Sequence, residues 1–92
     1  MKKIRVHVTV SGHVQGVFFR SFLKSNARLF EVNGWVKNAP NGKVEAVFEG
    51  DEYNVNKMVE LCRQGPPGSD VKEVDVKDHK SREALDTFEI RH

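Results

Sequence analysis

An arginine, an asparagine and a run of backbone amides spaced by glycine are the parts of this sequence with chemistry to offer. Gly12-His13-Val14-Gln15-Gly16-Val17-Phe18-Phe19-Arg20 follows a stretch that alternates as a strand and precedes one of helical period. Two glycines let the backbone take conformations that a side chain forbids. Successive free N–H groups in such a loop converge into a concave nest that attracts an anion. The helix behind it adds its own unpaired N–H groups and the positive end of its dipole. A cation at a helix start costs about 0.3–1 kcal/mol if nothing compensates it. An anion shared by Arg20, the loop amides and the helix end supplies that compensation. The first chemical reading is therefore an anion seat.

Asn38 is the second polar side chain of interest, beside a turn written Ala39-Pro40-Asn41-Gly42. Each residue also has a plain structural explanation. An arginine in a first helical turn is usually solvated, asparagine beside a turn is there for turn chemistry, and Phe18 and Phe19 are packing residues, one or both in the core. His7, His13, His79 and His92 are scattered without ligand spacing, and His13 has a modest claim to touch a ligand. The carboxylates fall mainly on strand exteriors and helix surfaces, so neither an acid–base pair nor a metal cluster is expected. Cys62 lies in an apolar helical stripe and reads as a buried small hydrophobe.

The elements that must position these groups follow from periodicity. Ile4, Val6, Val8 and Val10 alternate with polar neighbours, the period of a strand with one buried face, which Ser11-Gly12 ends. Phe19, Phe22, Leu23, Ala27 and Phe30 recur at helical spacing. Asn33-Gly34 supplies a left-handed stop. A second strand begins at Trp35, and Asn41-Gly42 signals a hairpin. Lys43–Glu49 returns with Val44, Ala46 and Phe48 on one face and Val47 opposite, where it can matter at an edge or interface. Asp51 is placed to cap a second helix, whose stripe is Val55, Met58, Val59 and Cys62, and Gly65-Pro66-Pro67-Gly68 stops it. Val71, Val74 and Val76 mark a fourth strand with a slipped register. Residues 77–85 form a polar loop, and Thr87–Arg91 forms a short last strand with Phe88 and Ile90 inward. The order is that of an α+β, ferredoxin-like βαββαβ sandwich, with two helices on one face of an antiparallel sheet and a short C-terminal strand.

Composition narrows the function classes. The chain has 92 residues, 38% hydrophobic and 30% charged, so residues 1–92 are expected to form a single soluble domain. A net charge of +2 is too small to demand nucleic acid. No apolar run approaches a membrane span. Lys2 and Lys3 are not followed by an apolar block, so no signal peptide is expected and the cytoplasm is the default location.

Gly12 with Val14-Gln15-Gly16-Val17-Phe18-Phe19-Arg20 resembles the first signature of the acylphosphatase family. Gly34-Trp35-Val36-Lys37-Asn38, continuing to Asn41-Gly42-Lys43-Val44-Glu45, resembles its second, and Gly65-Pro66-Pro67-Gly68 resembles its connection after the second helix. The resemblance spans nearly the whole chain. It implies a ferredoxin-like fold and hydrolysis of acyl phosphates with no metal or other cofactor. It implies Arg20 as the phosphate-binding arginine, Asn38 as the water-positioning residue, and the amides of Gln15, Gly16, Val17, Phe18, Phe19 and Arg20 as the phosphate cradle. Ala39-Pro40 departs from the Thr or Leu that many members carry after the asparagine, which bears on hairpin stiffness and leaves both side chains in place.

The expected partners are a small acyl phosphate and, as product and competitive inhibitor, inorganic phosphate. No nucleic acid or membrane is expected, and a monomer is the simplest state. Two rivals remain at this point. A single-stranded RNA-binding module shares the strand and helix order but needs exposed aromatics on its sheet, whereas Phe48 shares a face with core residues. A catalytically silent regulatory domain of the same fold is the other.

Overall fold

The computed structural model describes residues 2–92. Val6, Val8 and Val10 put their side chains on one face of β1 (Lys3–His13), and all three are buried. Strand β3 (Val44–Asp51) pairs with β1 antiparallel, setting Val44, Ala46 and Phe48 beside them. Onto this face pack α1 (Phe19–Leu29), through Phe19, Leu23 and Ala27, and α2 (Glu52–Gln64), through Val55, Met58 and Cys62. Strand β2 (Asn33–Asn38) pairs antiparallel with β3, and β4 (Asp70–Asp78) with β1. The last strand, β5 (Phe88–Arg91), completes the sheet order β4-β1-β3-β2-β5.

The fold is the expected ferredoxin-like sandwich, with one correction: the sheet is mixed, because β5 runs parallel to β2. The reason is topological. Strand β4 is antiparallel to β1 and therefore ends where β2 begins. Residues 79–87 cross the sheet at that end, so β5 starts beside the start of β2 and runs with it. That crossing also revises the reading of Val47. It lies on a central strand, fully buried with Trp35 under Leu85 of the crossing segment. Arg5 fastens the segment by donating from Nη1 to the Ser81 carbonyl at 2.8 Å, and Asn33 Nδ2 donates to the Leu85 carbonyl at 2.9 Å.

Three local expectations change in the same way, by a tertiary contact. First, β1 does not stop at Ser11-Gly12 but continues to His13, with a register shift opposite β4 between those two residues. Lys72 is the extra residue, which accounts for the slipped spacing of Val71 and Val74. Gly12 is needed there because a Cβ on it would stand 2.1 Å from the Asp70 carbonyl oxygen. Second, Asn33-Gly34 does not stop α1. Glu31 does, at φ 55°, with the Val32 N–H donating to the Ala27 carbonyl at 2.9 Å, a Schellman ending. Gly34 instead lies within β2 against the backbone of Val47. Third, the Asp51 side chain makes no cap bond to α2. Asp51 still belongs to β3, paired with Lys3, and the Glu52 N–H donates to the Lys2 carbonyl at 2.9 Å.

Candidate active site

The segment from Val14 to Phe18 joins β1 to α1. Val14 is buried and anchors it to the core. Gly16 (φ 73°) and Phe18 (φ 62°, ψ 25°) both turn through the left-handed region, an alternation from which converging N–H groups are built. Phe18 occupies the N-cap position of α1 and offers no side-chain hydrogen bond, and the first turn holds no acidic residue. The opening turn of α1 therefore lacks the side-chain cap and the acidic residues that usually serve its N–H groups.

The two neighbouring phenylalanines separate sharply. Phe19 is 1% exposed, in the core, whereas Phe18 is 83% exposed. The packing expectation holds for the first and fails for the second, because the left-handed turn at residue 18 swings its side chain off the core.

Arg20 follows one residue into the helix, half-buried. Its Nη1 donates to His92 Nδ1 at 3.4 Å. Among the described residues no carboxylate pairs with Arg20. Asn38 ends β2 with its side chain exposed. The turn beyond it is closed by the Ala39 N–H donating to the Lys43 carbonyl (2.8 Å) and the Gly42 N–H to the Ala39 carbonyl (3.2 Å). Pro40 takes the position whose φ it fixes.

A cavity of about 580 Å³ opens between these elements, lined by Gly16, Phe18, Phe19 and Arg20 on one side and by Asn38 on the other. The arginine and the asparagine thus share one concavity, which sequence spacing alone could not establish. Gln15 and Val17 do not line it. Val17 packs against the core. Gln15 turns its amide the other way, and Nε2 donates to the carbonyls of Ala39 and Lys43, both at 2.9 Å. It ties the loop directly to the two ends of the hairpin turn next to Asn38. His13 is exposed and outside the lining.

The lining also includes groups that sequence reasoning missed. Ser21 and Lys24 follow Arg20, and Lys24 stands one helical turn on, a spacing that could have been read from the sequence. Glu89, Ile90 and His92 come from β5 and just beyond it. Nothing local marks them, since they arrive only because β5 lies against β2.

Other titratable groups stand apart. Cys62 is fully buried, and burial pushes its thiol up to about 12, which makes it a packing residue as expected. On the opposite sheet face His7 Nε2 meets Glu45 Oε2 at 2.9 Å and stacks on His79 at 5.8 Å between ring centroids. Among the described residues no group of three or more His, Cys, Asp or Glu is arranged to hold a metal ion.

Comparison with known proteins gives this cavity its context. The acylphosphatase family profile matches residues 6–90. An acylphosphatase of Syntrophus aciditrophicus is 51% identical over 86 residues, covering 94% of this chain and 90% of that protein. One from Syntrophobacter fumaroxidans is 49% identical over 90 residues, covering 98% and 93%. The crystal structure of acylphosphatase from Bacillus subtilis superposes with a TM-score of 0.91 at 36% identity, covering 97% of this chain and 99% of that one. The chain belongs to the acylphosphatase family, and its activity is the hydrolysis of acyl phosphates to carboxylate and inorganic phosphate.

Proposed function

We propose that Arg20 and the main-chain N–H groups of Gln15 to Arg20 hold the phosphoryl group, and that Asn38 aims the attacking water. The observation that carries this reading is the meeting of Arg20 and Asn38 in one cavity at an uncapped helix start. Arg20 offers a planar fork to two phosphate oxygens. The loop and helix amides hold the rest, and fixed donors of this kind act best where water is partly excluded. Asn38 accepts a hydrogen bond from water through its carbonyl oxygen and directs the lone pair at phosphorus.

The water oxygen–phosphorus bond forms as the phosphorus–acyl oxygen bond breaks, and the electron pair leaves on the carboxylate. A carboxylic acid has a pKa of about 4, so this leaving group departs without protonation. No general acid is needed. Asn38 is too weak a base to take the water proton, which passes to a phosphate oxygen. Phosphoryl transfer asks mainly for positioning and charge stabilisation, and these residues supply both without a metal. In the same reading the enzyme works as a cytoplasmic monomer with no nucleic-acid or membrane partner.

The test is hydrolysis of benzoyl phosphate with inorganic phosphate as inhibitor. Arg20→Ala should weaken both turnover and phosphate inhibition, and undiminished inhibition would remove Arg20 as the anion ligand. Asn38→Ala should depress kcat far more than phosphate affinity, and an unchanged kcat would remove Asn38 from the mechanism. Chelation should leave activity intact, and a loss restored by Mg²⁺ would contradict metal independence.

A further inference from the structure

Phe18 is a feature that phosphate binding by itself does not explain. Among the described residues its side chain is the most exposed of the large hydrophobics, at 83%. Its backbone is left-handed, a conformation in which a bulky residue is an outlier and which glycine or asparagine takes at lower cost. A main-chain donor at this position would be delivered equally well by either of those residues. Yet a benzyl group stands here, in water, at the mouth of the cavity that holds Arg20 and Asn38.

The cavity, at about 580 Å³, lies within the range of about 300–1,000 Å³ typical of sites for whole small molecules. A phosphoryl group fills only a fraction of it. In an in-line displacement the acyl group lies across phosphorus from the attacking water. The acyl contact must therefore come from lining residues other than the water-holding Asn38. Of those, Ser21, Lys24, Glu89 and His92 are polar, Phe19 and Val14 are committed to the core, and Ile90 is half-buried against it. Phe18 is the apolar side chain left with a free face.

We infer that Phe18 is a specificity-determining residue whose ring packs on the acyl group of the substrate, favouring aromatic and extended apolar acyl phosphates over acetyl phosphate. The inference rests on the phosphate seat proposed above, which fixes where the acyl group begins. Covering Phe18 and the acyl group together removes apolar surface from water on both sides, and a flat acyl group gains a ring-on-ring contact as well. An acetyl group is too short to make that contact. The unfavourable backbone conformation at residue 18 is then the price of aiming a ring at the mouth of the site.

The experiment measures kcat/KM for benzoyl phosphate and for acetyl phosphate in the parent enzyme and in Phe18→Asn, Phe18→Leu and Phe18→Tyr. The readout is the benzoyl-to-acetyl ratio, in which any effect on the shared phosphoryl chemistry cancels. Phe18→Asn, whose side chain tolerates the left-handed backbone, should lower the ratio roughly three- to tenfold, the range a single aromatic contact confers. Phe18→Leu should fall between, and Phe18→Tyr should restore the parent ratio. The Tm of Phe18→Asn should equal or exceed that of the parent, since the exposed ring packs on little of the protein.

A ratio unchanged within twofold in Phe18→Asn overturns the inference, as does a lowered Tm, which would make Phe18 a structural residue. Phosphate inhibition of Arg20→Ala separates the two readings. If inhibition is lost and the ratio is unchanged, the role of Phe18 alone fails. If inhibition persists, the phosphate seat fails and the inference fails with it.

Discussion

Replacing Gln15 by Met tests whether the loop between β1 and α1 and the Asn38 hairpin are held as one unit. Met keeps the length of the side chain and removes both donated bonds, to Ala39 and Lys43, each 2.9 Å. A hydrogen bond of this kind contributes about 0.5–1.5 kcal/mol net. Neither carbonyl is orphaned by the change, because Ala39 still accepts from Gly42 and Lys43 from Ala39. The loss therefore falls toward the low end for the pair, about 1–2 kcal/mol, and in a domain of this size each kcal/mol shifts Tm by about 4–8 °C. The effect on catalysis should be larger. Displacing a positioned group by about 1 Å can cost on the order of a hundredfold in rate, so kcat on benzoyl phosphate should fall at least about tenfold. Inhibition by inorganic phosphate, which in the proposed mechanism needs the loop and not the hairpin, should change by less. Gln15→Glu should be worse than Met at neutral pH, since a carboxylate facing two carbonyl oxygens has no proton to give. Thermal unfolding and steady-state kinetics decide. Parent-like Tm and kcat in Gln15→Met would refute the coupling of loop to hairpin.

Further outcomes follow from groups outside the cavity. Gly34→Ala should cost about 3 kcal/mol or more, because the new Cβ would stand 1.8 Å from the Val47 carbonyl oxygen at φ 144°. Gly42→Ala, with open space around it, should cost only about 1 kcal/mol, and similar urea midpoints for the two variants would refute this account. The native Cys62 thiol should resist iodoacetamide at pH 8, since burial holds its pKa at about 12, and native-state alkylation at the rate of a free thiol would contradict that. His79 has its pKa lowered by desolvation first and then by the charges of His7 and Arg5. The fold therefore disfavours the charged ring. Its contribution is complete above the ordinary imidazole value of about 6.5 and is lost as pH falls below it. The urea midpoint should drop between pH 7.5 and pH 5, less so in His79→Gln, and an equal drop in both would exclude His79 as a source.

Much of this was legible because local and global demands agree. Val6, Val8 and Val10, then Val44, Ala46 and Phe48, alternate as half-buried strands must, and all six are buried together. Phe19, Leu23 and Ala27 recur at helical spacing and lie on one face of α1. The loop from Gln15 to Arg20 and the residue Asn38 stand out as local motifs, and both lie at the cavity or beside it. Three of the departures share a cause: a glycine or an aspartate owes its place to a tertiary contact and not to a local task. Gly12 and Gly34 are there because another strand's backbone passes too close for a side chain, and the Asp51 side chain is idle because β3 runs straight into α2.

The sequence by itself determined the element types, the buried faces and the two chemical motifs, since hydrophobic period and turn chemistry are encoded over a few neighbouring residues. Only the tertiary structure decided that Arg20 and Asn38 share a cavity, that Gln15 bridges to the hairpin, and that His92 reaches Arg20. These depend on which strands lie side by side. In particular, β5 runs parallel to β2 only because residues 79–87 cross the sheet at the end where β4 finishes. Register and strand order arise from packing the whole chain at once, and no short window of sequence contains them.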